Sequence, residues 1–186
     1  MKRIVREKNK LFPFFIILFC FGLMIPGYGS YTNQDSSTTL ILVRHAEKVK
    51  DGSNDPILTP EGKVRANELM YILKHVELSA IYSTPYKRTQ QTVLPTANDK
   101  NLEIQNYNPG ERGFLEKVLN SHSGRTVLIV GHSNTIPLLA NELAGRKDYD
   151  DLNDTTYDNL FFVQVHSNGQ TKIIRMRFGA HTPEKK

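Results

Sequence analysis

The segment Thr39-Leu40-Ile41-Leu42-Val43-Arg44-His45-Ala46-Glu47 sets the pattern that the rest of the chain repeats. Its four consecutive apolar residues are too short for a helix and show no alternation. That is the pattern of a strand covered on both faces, and charged and titratable side chains follow it abruptly. The pattern recurs in Ala80-Ile81-Tyr82-Ser83, followed by Thr84-Pro85-Tyr86-Lys87-Arg88. It recurs again in Thr126-Val127-Leu128-Ile129-Val130, followed by Gly131-His132-Ser133-Asn134-Thr135, with a weaker strand signal at Leu102-Glu103-Ile104-Gln105. Between these runs lie helix signals. Thr59-Pro60-Glu61 supplies an N-cap and a first-turn proline, and Ala66, Leu69, Met70, Leu73 and Val76 follow at steps of three and four. Thr84-Pro85 predicts a second capped helix that Pro95 ends or kinks, and residues 111–120 and 137–143 predict two more, the last ended by Gly145. At the C-terminal end, Leu160-Phe161-Phe162-Val163-Gln164-Val165-His166 and Thr171-Lys172-Ile173-Ile174-Arg175-Met176 flank the turn signal Asn168-Gly169. Strand–helix alternation closed by a hairpin predicts a three-layer α/β/α fold with a mostly parallel central sheet and a C-terminal antiparallel hairpin.

A length of 186 residues allows one such domain with a short appendage. The formal net charge is +5, but residues 1–29 hold five basic side chains against one acidic, so the remainder is close to neutral. That body offers no electrostatic basis for nucleic-acid binding. Residues 1–29 read as a signal peptide. A basic start ends at Lys10, the apolar run over residues 14–25 has signal-peptide length rather than the ~20 residues of a bilayer span, and Gly27-Tyr28-Gly29 offers a cleavage site. An uncleaved N-terminal membrane anchor is the alternative, and it would be the chain's one link to a membrane. Either way the body is expected outside the cytoplasm, periplasmic or extracellular. Cys20 is the only cysteine and sits in the leader, which leaves the mature chain without disulfide, thiol nucleophile or thiolate metal site. The expected organisation is a leader over 1–29, a polar linker over 30–38, one α/β domain over 39–180 and a polar tail over 181–186.

In an open α/β sheet, sites form beyond the carboxyl ends of the strands. The residues found there are Arg44 and His45 after the first strand, Arg88 after the second, and His132, Ser133 and Asn134 after the fourth. Two arginines and two histidines on one edge suit a phosphoryl group. Guanidinium forks match its oxygens bidentately, and a neutral imidazole can attack phosphorus or donate to a phosphoryl oxygen. A metal held by His45 and His132 is disfavoured, because no carboxylate falls at ligand spacing after His132 and the arginines repel a cation. No cofactor is expected. His75, His122, His166 and His181 read as structural.

These residues also resemble a known family. Leu42-Val43-Arg44-His45-Ala46-Glu47 is similar to the signature of the histidine phosphatase superfamily (phosphoglycerate mutase-like). Leu58-Thr59-Pro60-Glu61-Gly62 resembles its helix start, residues 81–92 its second arginine block, and Val130-Gly131-His132-Ser133-Asn134 its second-histidine block. The resemblance implies that His45 is a nucleophile that becomes transiently phosphorylated. It further implies that Arg44 and Arg88 clamp the phosphoryl oxygens and that His132, with Ser133 and Asn134 beside it, completes the pocket. The short stretch between Gln91 and Glu116 resembles the compact, SixA-like branch, whose open pockets suit a phosphate displayed on a large or varied molecule and give little selectivity for a small metabolite; the expected partner is a phosphorylated small molecule or a phosphoprotein.

The chain departs from the family pattern at several points. Ala46 stands where glycine is usual, and Asp51 where the mutase branch has asparagine; Asp51 would repel phosphate if it pointed inward. Ser133 stands where the acid-phosphatase branch places its aspartate, which leaves the proton donor unassigned; Glu111 is a candidate, with a plain helix-start carboxylate as the competing reading. Glu47 reads as a structural partner for a nearby basic group, and Tyr157-Asp158-Asn159 as pocket rim or turn. The expectation is an exported phosphatase acting on phosphomonoesters or phosphohistidine without a metal. The alternative is a non-catalytic phosphate-binding domain of the same fold.

Overall fold

The structure, a computed structural model, describes residues 37–182. The expected leader with its cleavage site and Cys20, residues 30–36 and residues 183–186 lie outside them. Among the described residues the elements run β1 (Ser37–Arg44), α1 (Pro60–Ile72), β2 (Ala80–Ser83), α2 (Lys87–Lys100), β3 (Ile104–Asn106), α3 (Phe114–Ser121), β4 (Thr126–Gly131), α4 (Thr135–Ala144), β5 (Asn159–His166) and β6 (Thr171–Arg177). They form one six-stranded sheet in the order β3-β2-β4-β1-β5-β6. The first four of these are mutually parallel; β5 runs antiparallel to β1, and β6 to β5.

Side-chain alternation along the strands divides the core between two layers. Leu40, Leu42, Val127, Ile129, Phe161 and Val163 face α3 and α4, where Phe114, Val118, Ile136 and Leu139 meet them. Ile41, Val43, Ile81, Leu128, Val130 and Leu160 face α1 and α2, against Leu69, Leu73, Val93 and Ala97. A strand covered on both sides has no polar face, which explains the unbroken apolar runs. At the N-terminus of α1, the Thr59 hydroxyl accepts from the Gly62 amide with Pro60 at the first position. Gly62 itself is required by space: a Cβ there would stand 2.2 Å from the Glu47 carbonyl oxygen.

Local boundaries differ from the sequence reading for identifiable reasons. β1 begins at Ser37, inside the expected linker, because Ser37 and Thr38 continue the ladder with β5. The fold also runs into the expected tail: Thr182 is buried, and its hydroxyl accepts from the Tyr157 amide and donates to Asp158. Thr84-Pro85 does not cap α2, which starts after Tyr86. Pro95 does not end that helix, since its buried face of Thr92, Val93, Thr96 and Ala97 carries it on to Lys100. β3 starts later than expected because Asn101, left-handed at φ 51°, first has to end α2. α3 starts at Phe114 rather than Glu111, because Gly113 at φ 78° cannot belong to a right-handed helix. α1 stops at Ile72, so Val76 packs from the turn beyond it.

Candidate active site

Strand register assembles the site. Arg44 pairs with Gly131 and Ser83 with Val130, so the chain leaves β1, β2 and β4 at one level. The His45 amide donates to the Gly131 carbonyl at 2.9 Å, which sets His45 beside His132; their rings lie 5.6 Å apart, centre to centre. An open pocket of about 940 Å³ forms above, and its walls include Arg44, His45, Arg88, Glu111, His132, Ser133 and Asn134. The seven candidate catalytic and binding residues of the sequence are all on that wall, whereas Tyr157, Asp158 and Asn159, read as rim or turn, are not.

His45 is buried, and its Nδ1 lies 2.8 Å from the Ala46 carbonyl oxygen. A carbonyl only accepts, so Nδ1 carries the proton and the neutral ring has its lone pair on Nε2. Burial pushes the His45 pKa down to about 3; the bond to Ala46 opposes this, and Arg44, His132 and Arg88 add to it. Burial, then Arg88 and Arg44, likewise lower His132 to about 4. Both rings are neutral at physiological pH.

The arginines are held differently. Arg44 donates through Nη1 to the carbonyls of Asn153 (2.7 Å) and Thr156 (2.9 Å), and its guanidinium lies 4.5 Å from the centre of the Tyr157 ring. Its ion pair with Asp154 at 3.7 Å is weak, because that carboxylate is 95% exposed. Arg88 rests over the Tyr86 ring at 4.4 Å, with Asp55 at 3.9 Å and His132 Nδ1 at 3.5 Å. The Nε atoms of both arginines are buried without a hydrogen-bond partner, donors that an oxyanion's oxygens would suit.

The neighbouring acids sort cleanly. Glu47 takes Arg65 bidentately, with Nε at 3.0 Å from each oxygen and Nη2 at 2.7 Å, and Arg65 goes on to the Phe178 and Ala180 carbonyls. Glu47 is thus the structural partner its sequence context suggests. Asp51 is exposed and accepts from the Ser53 amide at 3.0 Å, spending its charge on the loop rather than in the pocket. Glu111 reaches the wall from a turn, not from a helix N-terminus. Tyr157 supports Arg44 from beneath, while Asp158 is buried against Arg177 and Thr182.

Sequence reasoning misses several residues. Lys48, Tyr107 and Asp154 line the pocket, and Thr84 hydrogen-bonds His132 at 3.0 Å. Thr84 lies inside a recognisable block, but its pairing with Pro85 reads as a helix cap and hides this contact. Tyr107 meets the end of β4 only through the sheet, where a Cβ on Gly131 would stand 2.8 Å from its hydroxyl and 2.6 Å from the Thr135 oxygen. No local pattern encodes that approach.

Comparison with known proteins agrees with this geometry. Residues 40–108 match the histidine phosphatase superfamily (branch 1). Phosphoserine phosphatase 1 of Hydrogenobacter thermophilus is 30% identical in a match that covers 54% of this chain and 72% of that protein. Among solved structures, the fold is similar to the mycobacterial glucosyl-3-phosphoglycerate phosphatase (TM-score 0.63, 13% identity, 74% of this chain and 97% of that one). It is also similar to the protein histidine phosphatase SixA in complex with tungstate (TM-score 0.62, 21% identity, 75% and 96%). With the strand-end residues gathered on one pocket and a curated relative matched over most of its length, the chain belongs to the histidine phosphatase superfamily and is a phosphatase.

Proposed function

We propose that the protein is an exported, metal-independent phosphatase that hydrolyses phosphomonoester or phosphohistidine groups, on small molecules or phosphoproteins, through a phosphohistidine on His45. The observation that carries this reading is the fixed tautomer of His45. Its Nδ1 is committed to the Ala46 carbonyl, so a neutral Nε2 lone pair stands in a pocket walled by two guanidinium groups. Nε2 attacks phosphorus as the bond to the leaving oxygen breaks, and the Glu111 carboxyl gives that oxygen its proton. Water then attacks the phosphohistidine, returns a proton to Glu111 and frees His45 and inorganic phosphate. Arg44, Arg88 and His132 hold the phosphoryl oxygens, with Ser133 and Asn134 beside them on the pocket wall. The two arginines supply the charge stabilisation that phosphoryl transfer demands, which is why the reading needs no metal. The named activities of the relatives, on phosphoserine and on protein phosphohistidine, support this substrate range. Export rests on the leader.

The test is rapid mixing of the purified protein with a labelled phosphomonoester, quenched into alkaline denaturant. Acid-labile, base-stable label on His45, absent from His45→Ala, is the expected result. Turnover without label on His45 would overturn the nucleophile. Bound phosphate with neither label nor turnover would make the protein a phosphate-binding domain.

A further inference from the structure

We propose that Thr84 is a positioning residue that decides which ring nitrogen of His132 meets the phosphoryl group as a proton acceptor. The inference rests on the phosphatase reading only for what His132 faces. Thr84 is fully buried at the end of β2, and its hydroxyl touches both Thr89 Oγ1 (3.0 Å) and His132 Nε2 (3.0 Å). The direction of each hydrogen bond in this relay is forced. Thr89 Oγ1 lies 2.8 Å from the carbonyl oxygens of Thr84 and Tyr86, which only accept, so its single proton is spent there. The Thr84 proton must therefore point at Thr89, and only lone pairs on Thr84 remain for His132. Nε2 carries the ring proton.

The other side of the ring gives the same answer independently. His132 Nδ1 faces Arg88 Nη2 at 3.5 Å, and a guanidinium nitrogen only donates. Nδ1 holds the lone pair. The charged and titratable groups around the ring are Arg88 from α2, Arg44 and His45 from the end of β1, and Tyr86 from the loop after β2. When a phosphoryl group enters, a proton taken from solvent has one place to go, Nδ1, where it becomes a donor to a phosphoryl oxygen while Nε2 stays on Thr84. In the opposite tautomer the Nε2 lone pair would face an oxygen with no proton to give, a buried mismatch.

The experiment uses histidine-labelled full-length protein at neutral pH, with long-range proton–nitrogen correlation spectra reading the His132 tautomer, assigned with His132→Asn, before and after addition of inorganic phosphate. Wild type should show Nε2–H. Thr84→Val keeps the shape but removes the acceptor, so it should give mixed tautomers and a kcat/KM lower on the order of ten-fold, whereas Thr84→Ser should keep both near wild type. Thr89→Val frees the Thr84 proton to turn toward the ring, and should admit the second tautomer although Thr84 is intact. This variant decides the matter if Thr84→Val does not fold. An Nδ1–H signal in wild type, or wild-type tautomer and rate in Thr84→Val, would overturn the proposal. Labelling of His45 is read separately, so failure of the phosphohistidine reading and failure of the Thr84 assignment give different results.

Discussion

Arg44 and Arg88 line the same pocket, and the protein restrains them to very different degrees. Arg44 is 2% exposed and bound to backbone carbonyls of the segment before β5; Arg88 is 14% exposed and rests on an aromatic face, a distant carboxylate and an imidazole. Backbone carbonyls cannot change rotamer, so Arg44 is a fixed part of the frame. Arg88 is held by side chains instead, and in the proposed reaction such a less firmly tied arginine suits a phosphoryl group that passes from the leaving oxygen to His45. A site that must hold one charge distribution and then another has use for one arginine of each kind.

Replacing either arginine tests that contrast. Arg44→Ala should lose turnover and also stability, about 1–3 kcal/mol for each carbonyl left without a donor, as measured by denaturant titration alongside activity. If its stability equals wild type, Arg44 is no more structural than Arg88. Arg88→Ala should weaken phosphate binding by about 1.5–3 kcal/mol in calorimetry while the denaturation midpoint hardly moves. A third test uses pH. Folded His45 titrates near 3 against an ordinary value of 6.5, so between those values the unfolded chain binds more protons. Stability should therefore fall as pH drops through 6.5 and level off near 3, and His45→Ala should flatten part of that slope; an unchanged slope would contradict the buried neutral ring. For the same reason, kcat/KM should hold down to near pH 4 before protonation of Nε2 removes the attacking lone pair. Smallest of all, Asp51→Asn should leave kcat/KM unchanged, because Asp51 serves the Ser53 turn and not the pocket.

The parts of this molecule that local rules govern are legible in the amino-acid sequence alone. Unbroken apolar runs mark β1, β2 and β4, the Thr59-Pro60 cap marks α1, and the position of Arg44, His45, Arg88 and His132 at or beyond strand ends places them on one edge. What escapes depends on contacts between distant segments. Nothing near Thr182 announces that it will bind Tyr157, so local signals end the domain too early. Thr84-Pro85 carries the same signal as Thr59-Pro60, yet one hydroxyl caps a helix and the other holds a histidine. The difference lies in what β4 brings alongside β2. Asp51 shows the converse: its identity raises a conflict with phosphate that its orientation removes.

The bridge between Lys48 and Leu58 gives the first loop a closed base, tied further by the bonds from Val49 to Ile57 and from Thr59 to Glu47. Ser53, Asn54 and Pro56 reach the pocket from inside that loop, while His45 precedes the tie in the chain. Part of the pocket wall is therefore carried by a length of chain that does not include His45. On the proposed function, the residues between the two ends of the tie are the ones to vary for a new leaving group, with Asp55, which receives the Lys87 amide at 2.8 Å, kept to anchor the loop to α2.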